Sequence, residues 1–138
     1  MGVPEKEFIY ESHTVSTRLD PAGWLEFTVA EGAIVTYKDL EAIAKALLAH
    51  GRTSIRVLVV RTTSYSTGAD VITSDLRSVA GLVVEKVAYY TPSEPARLAA
   101  ELESRTALRH LPSSQFSDRD AALAWLLSNE ESDAAQPG

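Results

Sequence analysis

The chain contains no cysteine. That absence removes thiolate nucleophiles, zinc–thiolate sites and disulfide frameworks together, and it fits a reducing compartment. Histidine is nearly as scarce. His13, His50 and His110 stand far apart with no i, i+4 partner, so no metal-ligating set can be read and no cofactor is expected. Long apolar runs are missing as well: no window approaches the roughly 18 uninterrupted apolar residues of a membrane span. The opening MGVPEKEFIY has no run long enough for a signal peptide, and the expected location is cytoplasmic. Positive charge is in deficit, with 13 Lys and Arg against 19 Asp and Glu and a formal charge of −6. Only Arg52/Arg56 and Arg105/Arg109 stand close together. A nucleic-acid binder needs a concentrated basic surface to displace counterions, so that class is set aside.

What is present is enough for a core. Over 138 residues, 45% are hydrophobic, which supports one domain without staples. A disordered lead is expected at 1–5, a domain at 6–130 and a disordered acidic tail at 131–138. FIYESHTVSTRL (8–19) and WLEFTVA (24–30) read as two strands of a hairpin around the turn DPAG (20–23). TYKDLEAIAKALLAHG (36–51) is the clearest helix. Thr36 caps it, Asp39 follows three residues on, Leu40, Ile43, Ala44, Leu47 and Leu48 form the stripe, and Gly51 ends it. SIRVLVVRT (54–62) carries a run rich in β-branched residues, as in a strand covered on both faces.

The polar loop TTSYSTGAD follows, then VITSDLRSVAGLV, where Ile72, Leu76, Val79 and Val83 predict a helical stripe. VEKVAYYT (84–91) is a strand. The segment 92–110 is a helix opened by Ser93 with Pro95 in its first turn and with Leu98 and Leu102 inward. LPSSQF (111–116) is a short strand, and Ser117 caps a last helix whose Ala122, Trp125 and Leu126 face the core. The order ββαβαβαβα predicts an α/β fold, a five-stranded mixed sheet of an N-terminal hairpin and then parallel strands, with about four helices and right-handed crossovers.

That order, closed by FSDRDAALAWLL, resembles the SpoIIAA-like proteins of the STAS fold, often called STAS/SEC14 domain proteins. Their closing pattern of phenylalanine, acidic or polar residues, alanine and a tryptophan–leucine pair corresponds here to Phe116, Asp118, Asp120, Ala122 and Trp125–Leu126. The resemblance covers residues 8–129 and implies a cytoplasmic regulatory or ligand-binding theme. In the anti-sigma-factor antagonists of that fold, a serine in an Asp-Ser-Ser-Gly run at a helix start is phosphorylated. The nearest text here is Tyr65-Ser66-Thr67-Gly68, with tyrosine where the aspartate would stand. A second register puts Thr73 or Ser74 at the helix cap. Ser66, Thr67, Thr73 and Ser74 are therefore the candidate phosphoacceptors, against the plainer reading that they cap or shape the loop.

The loop 62–70 follows the carboxyl end of the central strand, where open α/β sheets present ligands. Tyr65 and Gly68 on that loop, with Ser93 and Arg97 at the next helix start, form the candidate ligand or partner surface. No nucleophile–base pair, Gly-x-Ser-x-Gly elbow or phosphate-binding loop is legible. The expected function is non-enzymatic: a regulatory module that binds a protein partner or a second copy of itself. The alternatives are a SEC14-type carrier or sensor of a small amphipathic ligand, or an unrecognised enzyme.

Overall fold

Alternating apolar residues in the first third of the chain form three antiparallel strands, β1 (Glu7–Glu11), β2 (Val15–Leu19) and β3 (Trp24–Val29). The computed structural model describes residues 6–61 and 65–128; the expected lead and tail lie outside the described residues. Residues 8–19 are thus two strands and not one. Ser12 makes the break, its hydroxyl accepting the N–H groups of Thr14 and Val15 at 3.0 and 3.3 Å. Such a side-chain bond holds the backbone in a turn where the composition alone suits a strand. The DPAG turn is present as expected, with Gly23 at φ 96° and Asp20 accepting from the Ala22 N–H at 2.8 Å.

The other elements are β4 (Ile34–Val35), α1 (Tyr37–Ala49), β5 (Ser54–Val60), β6 (Ser66–Thr67), α2 (Ala69–Ile72), β7 (Ser78–Val79), β8 (Leu82–Tyr90), α3 (Glu94–Arg105), β9 (Ser113–Phe116) and α4 (Arg119–Leu126). The main sheet runs β1-β2-β3-β5-β8-β7, and β9 also pairs with β8. Strands β3, β5, β8 and β9 are parallel. The sheet is mixed, as expected, but has seven strands where the sequence predicted five. A separate two-stranded piece joins β4 to β6.

The second added strand replaces a predicted helix. Only Ala69–Ile72 of that segment is helical. The hydroxyls of Thr73 and Ser74 donate back to the carbonyls of Ala69 and Asp70 at 2.9 and 2.5 Å, and the chain then enters the β7–β8 hairpin. Ala80 at φ 52° and Gly81 at φ 93° form its two-residue turn. That is the left-handed pair a tight hairpin requires. Ile72 and Val83, placed on one helical stripe by the sequence, are exposed.

Local signals set α1 as expected. Thr36 and Asp39 form a reciprocal capping box, and Ile43, Ala44 and Leu47 are buried. Strand β5 sits mid-sheet, with Ile55 and Val59 in the larger core and Leu58 in a smaller one on the opposite face. That smaller core gathers Trp24, Leu58 and Ala88 under Ala122, Trp125 and Leu126 of α4, and the Phe116 ring lies 5.7 Å from that of Trp125. The cap of α4 is Asp118, not Ser117: its carboxylate accepts the Ala121 N–H at 2.9 Å. At the other end, Arg56 donates to the carbonyls of Leu126 and Ser128, both at 2.8 Å. Lys86 donates to the Trp125 carbonyl at 2.6 Å. Cations at carbonyls left free by a helix C-terminus are favourable, so Arg56 has a structural task.

Helix α3 is turned relative to expectation. Ser93 caps it and Pro95 lies in its first turn, but Leu98 and Leu102 point outward, 52% and 63% exposed. The inward stripe is Ala96, Ala100 and, beyond them, Glu103 and Ala107.

Candidate functional site

Beneath α1, on the face of the sheet opposite α4, lies a cavity of about 130 Å³. Its walls are almost wholly apolar, with Phe27, Leu47, Val59, Val71, Val87 and Leu108 drawn from sheet, helices and connecting turns. The polar contribution comes from four residues that also line it: Tyr65, Thr67, Tyr89 and Glu103.

These four are tied together through one carboxylate. Glu103 Oε1 accepts from the Tyr89 hydroxyl at 2.6 Å. Its Oε2 accepts from the Thr67 hydroxyl at 2.5 Å and from Arg61 Nη1 at 3.2 Å. Arg61 is set on the core side as the chain leaves β5; its guanidinium packs 3.6 Å from the Tyr65 ring and Nη2 donates to the Tyr65 carbonyl at 3.3 Å. The ion pair is sequestered, its side chains only 5% and 13% exposed. Arg61 Nε is buried and has no acceptor among the described residues.

Burial, and next the Glu103 charge, push both phenols upward. The Tyr65 hydroxyl is held above its ordinary value of 10.0, and that of Tyr89 well above it. Both are neutral donors at physiological pH. A phenol that resists ionisation is available as a hydrogen-bond donor. The arrangement is suited to holding a molecule. Among the described residues no group of three His, Asp or Glu converges on a metal position.

The residues named from sequence fall into separate places. Thr67 and Tyr65 belong to the cavity. Gly68 supports the backbone: a Cβ there would sit 2.7 Å from Asp70 Oδ1 and 3.1 Å from the Val35 carbonyl. Asp70 needs that position, because its carboxylate accepts the Tyr37 N–H at 3.1 Å at the start of α1. Ser66 is exposed on β6. Thr73 closes α2 instead of opening it, and Ser74 lies beyond. The helix-start register for these hydroxyls is therefore corrected; Gly68 occupies the cap of a four-residue helix. Ser93 spends its hydroxyl on the Ala96 N–H at 3.3 Å. Arg97 pairs on the surface with Glu94 and Glu101 at 3.0 and 3.1 Å. Neither Ser93 nor Arg97 lines the cavity. Thr62, Thr63 and Ser64 of the loop lie outside the described residues.

The sequence reading missed Arg61, Tyr89 and Glu103. A signal for Glu103 did exist: 96, 100, 103 and 107 follow helical spacing with alanine at three of the four positions.

A solved structure now bears on the architecture. An uncharacterized DUF3478-family protein with a SpoIIAA-like fold, from Shewanella loihica PV-4, superposes with a TM-score of 0.52 over 91% of this chain and 98% of its own, at 18% identity. The fold is SpoIIAA-like. No family model matches the chain, and no curated protein matches it. In this SpoIIAA-like chain no described helix is long and apolar enough to cross a membrane.

Proposed function

We propose that this SpoIIAA-like chain is a non-enzymatic binding module and that its ligand is a small amphipathic molecule held in the cavity under α1. The observation that carries this reading is the cavity's composition: apolar walls with one hydrogen-bonded polar cluster at one end. Apolar walls supply affinity through water release, and a few fixed polar groups supply orientation. The regulatory theme expected from sequence has less support at the hydroxyl residues. Thr67 already donates to Glu103, and a phosphate there would set two like charges side by side.

Native mass spectrometry of the purified chain and thermal shift with small apolar probes test the reading. The expected result is a bound molecule or a rise in Tm. Both should be lost in Ala44→Leu, which extends a buried lining side chain into the space. Repeated absence of ligand together with no Tm response to any probe refutes it.

A second reading, association with a protein partner or another copy, draws on Leu98 and Leu102, an exposed i, i+4 apolar pair on α3. Its test is light scattering at rising concentration, comparing the wild type with Leu98→Ser/Leu102→Ser. A monomer throughout, with no difference between the two, counts against self-association.

A further inference from the structure

His50 closes α1 as its C-cap, and both nitrogens of its ring face oxygen. Nδ1 lies 3.1 Å from the Ala46 carbonyl and Nε2 lies 2.7 Å from Glu7 Oε2. A backbone carbonyl and an ionised carboxylate only accept, so each contact needs a proton on the ring nitrogen. Neutral imidazole carries one N–H and imidazolium carries two. The proton between Nε2 and Oε2 sits on the imidazole, the stronger base of the two. The two contacts together therefore specify the charged ring. Positive charge is also favoured where a helix leaves its last carbonyls unpaired. The Ala46 carbonyl first, and then Glu7, raise the His50 value above its ordinary 6.5. Neighbouring cations are turned elsewhere. Lys6 sets its ammonium 5.5 Å from the centre of the Trp24 ring, Arg52 lies against Gly23, and Arg18 of β2 packs over the Phe8 ring. Among the described residues Glu7 is the charge that acts on His50.

Glu7 belongs to β1, an edge strand paired with β2. Helix α1 roofs the cavity through Leu40, Ile43, Ala44 and Leu47. Two side-chain bonds join strand to helix among the described residues: Tyr10 to Asp39 at 3.4 Å near the helix start, and Glu7 to His50 at its end. We propose that His50 is a pH-dependent fastener: as an imidazolium it pins the last turn of α1 to β1, and as pH rises it releases that end of the roof. On losing its proton the ring keeps one hydrogen for Ala46, and the Nε2 lone pair then faces the carboxylate. Glu7, whose side chain is 61% exposed, turns away into water. With the folded value raised, the stabilisation is fully present below the unfolded value and is lost as pH climbs through the folded one. The fastener concerns the roof whether or not the cavity is filled, so it stands apart from the ligand reading.

The test follows the histidine rings of the full chain by NMR from about pH 5 to about pH 9, a window spanning the ordinary histidine value, in wild type and Glu7→Gln. His50 should titrate above 6.5, and its midpoint should fall in the variant. The amides of His50 and Arg52 bond back to Ala46 and Leu47. Their protection, corrected for intrinsic exchange, should drop about two- to fivefold across the transition, the range of an exposed ion pair. That drop should be absent in Glu7→Gln. A wild-type midpoint at or below 6.5, a midpoint that the variant leaves in place, or protection unchanged across the transition each overturns the inference. Circular dichroism checks the variant, and should it not fold, the wild-type midpoint and protection decide alone.

Discussion

Removing one partner of the Arg61–Glu103 pair should cost at least as much as removing both. The pair is 3.2 Å apart and its side chains are 5% and 13% exposed. Arg61→Met leaves a sequestered carboxylate without its counter-charge. Glu103→Leu leaves a buried guanidinium and also takes the acceptor from Tyr89 and Thr67. Breaking a buried pair from one side costs about 3–5 kcal/mol. At about 2.1 cal/mol/K of unfolding entropy per residue, 1 kcal/mol corresponds to about 3–4 °C for a chain of this length, so each single variant should lose about 10–17 °C in Tm.

Replacing both charges by apolar groups of similar bulk is often close to neutral. The double variant still leaves the hydroxyl of Tyr89, a residue only 2% exposed, without its acceptor, at about 1–3 kcal/mol. R61M/E103L should therefore be no less stable than either single variant, with a coupling energy of about 3 kcal/mol or more. Adding Tyr89→Phe should recover part of the remainder. Urea unfolding of the five proteins, with m-values checked for two-state behaviour, measures the cycle. Additive losses, a double variant down by about 6–10 kcal/mol, refute the buried-pair reasoning.

Alkaline titration should report on Tyr65 and Tyr89. Tyr65 and Tyr89 have folded values above the ordinary 10.0, so their contribution to stability is fully present below pH 10 and is lost as pH rises beyond it. Absorbance at 295 nm should show two of the five tyrosines ionising only with loss of near-UV dichroism; five phenols titrating together in the folded protein contradicts this. Asp118→Ala should destabilise by about 1 kcal/mol and Ser117→Ala by much less, read from denaturant midpoints; the reverse order restores the cap predicted from sequence. Ala80→Asn should raise stability by several tenths of a kcal/mol, since asparagine tolerates the left-handed backbone found there. In the helix predicted from sequence the same change lowers stability, so the sign of the shift decides between the two.

The parts of this fold legible in advance are those whose physics is local. Thr36 with Asp39, Ser93 with Pro95, and the turn DPAG each carry their hydrogen-bonding partner within four residues, and each appears as read. Two failures are local in detail, the break that Ser12 makes in 8–19 and the α4 cap at Asp118 instead of Ser117; the larger ones, in which an element changed type or face, have the opposite property. VITSDLRSVAGLV has apolar residues at helical intervals, but its fate is decided by β8, whose edge accepts Ser78 and Val79 as a strand. Tertiary pairing overrides periodicity in a segment that short.

Helix α3 shows why the site itself was hidden. Reading the largest apolar residues inward selects Leu98 and Leu102, yet the inward face must also fit the side chains rising from the sheet beneath. Tyr89 and Arg61 meet Glu103 there, and the neighbouring inward positions are the small Ala96 and Ala100. The charge that joins this cluster comes from β5's end and from α3, 42 residues apart, and no spacing rule links such positions. A buried glutamate in a helix costs several kcal/mol unless charge and hydrogen bonds offset it. Arg61, Thr67 and Tyr89, which donate to it, come from three separate stretches of chain. The cavity's polar end is thus a property of the closed fold: it exists only once β5, β6, β8 and α3 have all come together around one carboxylate.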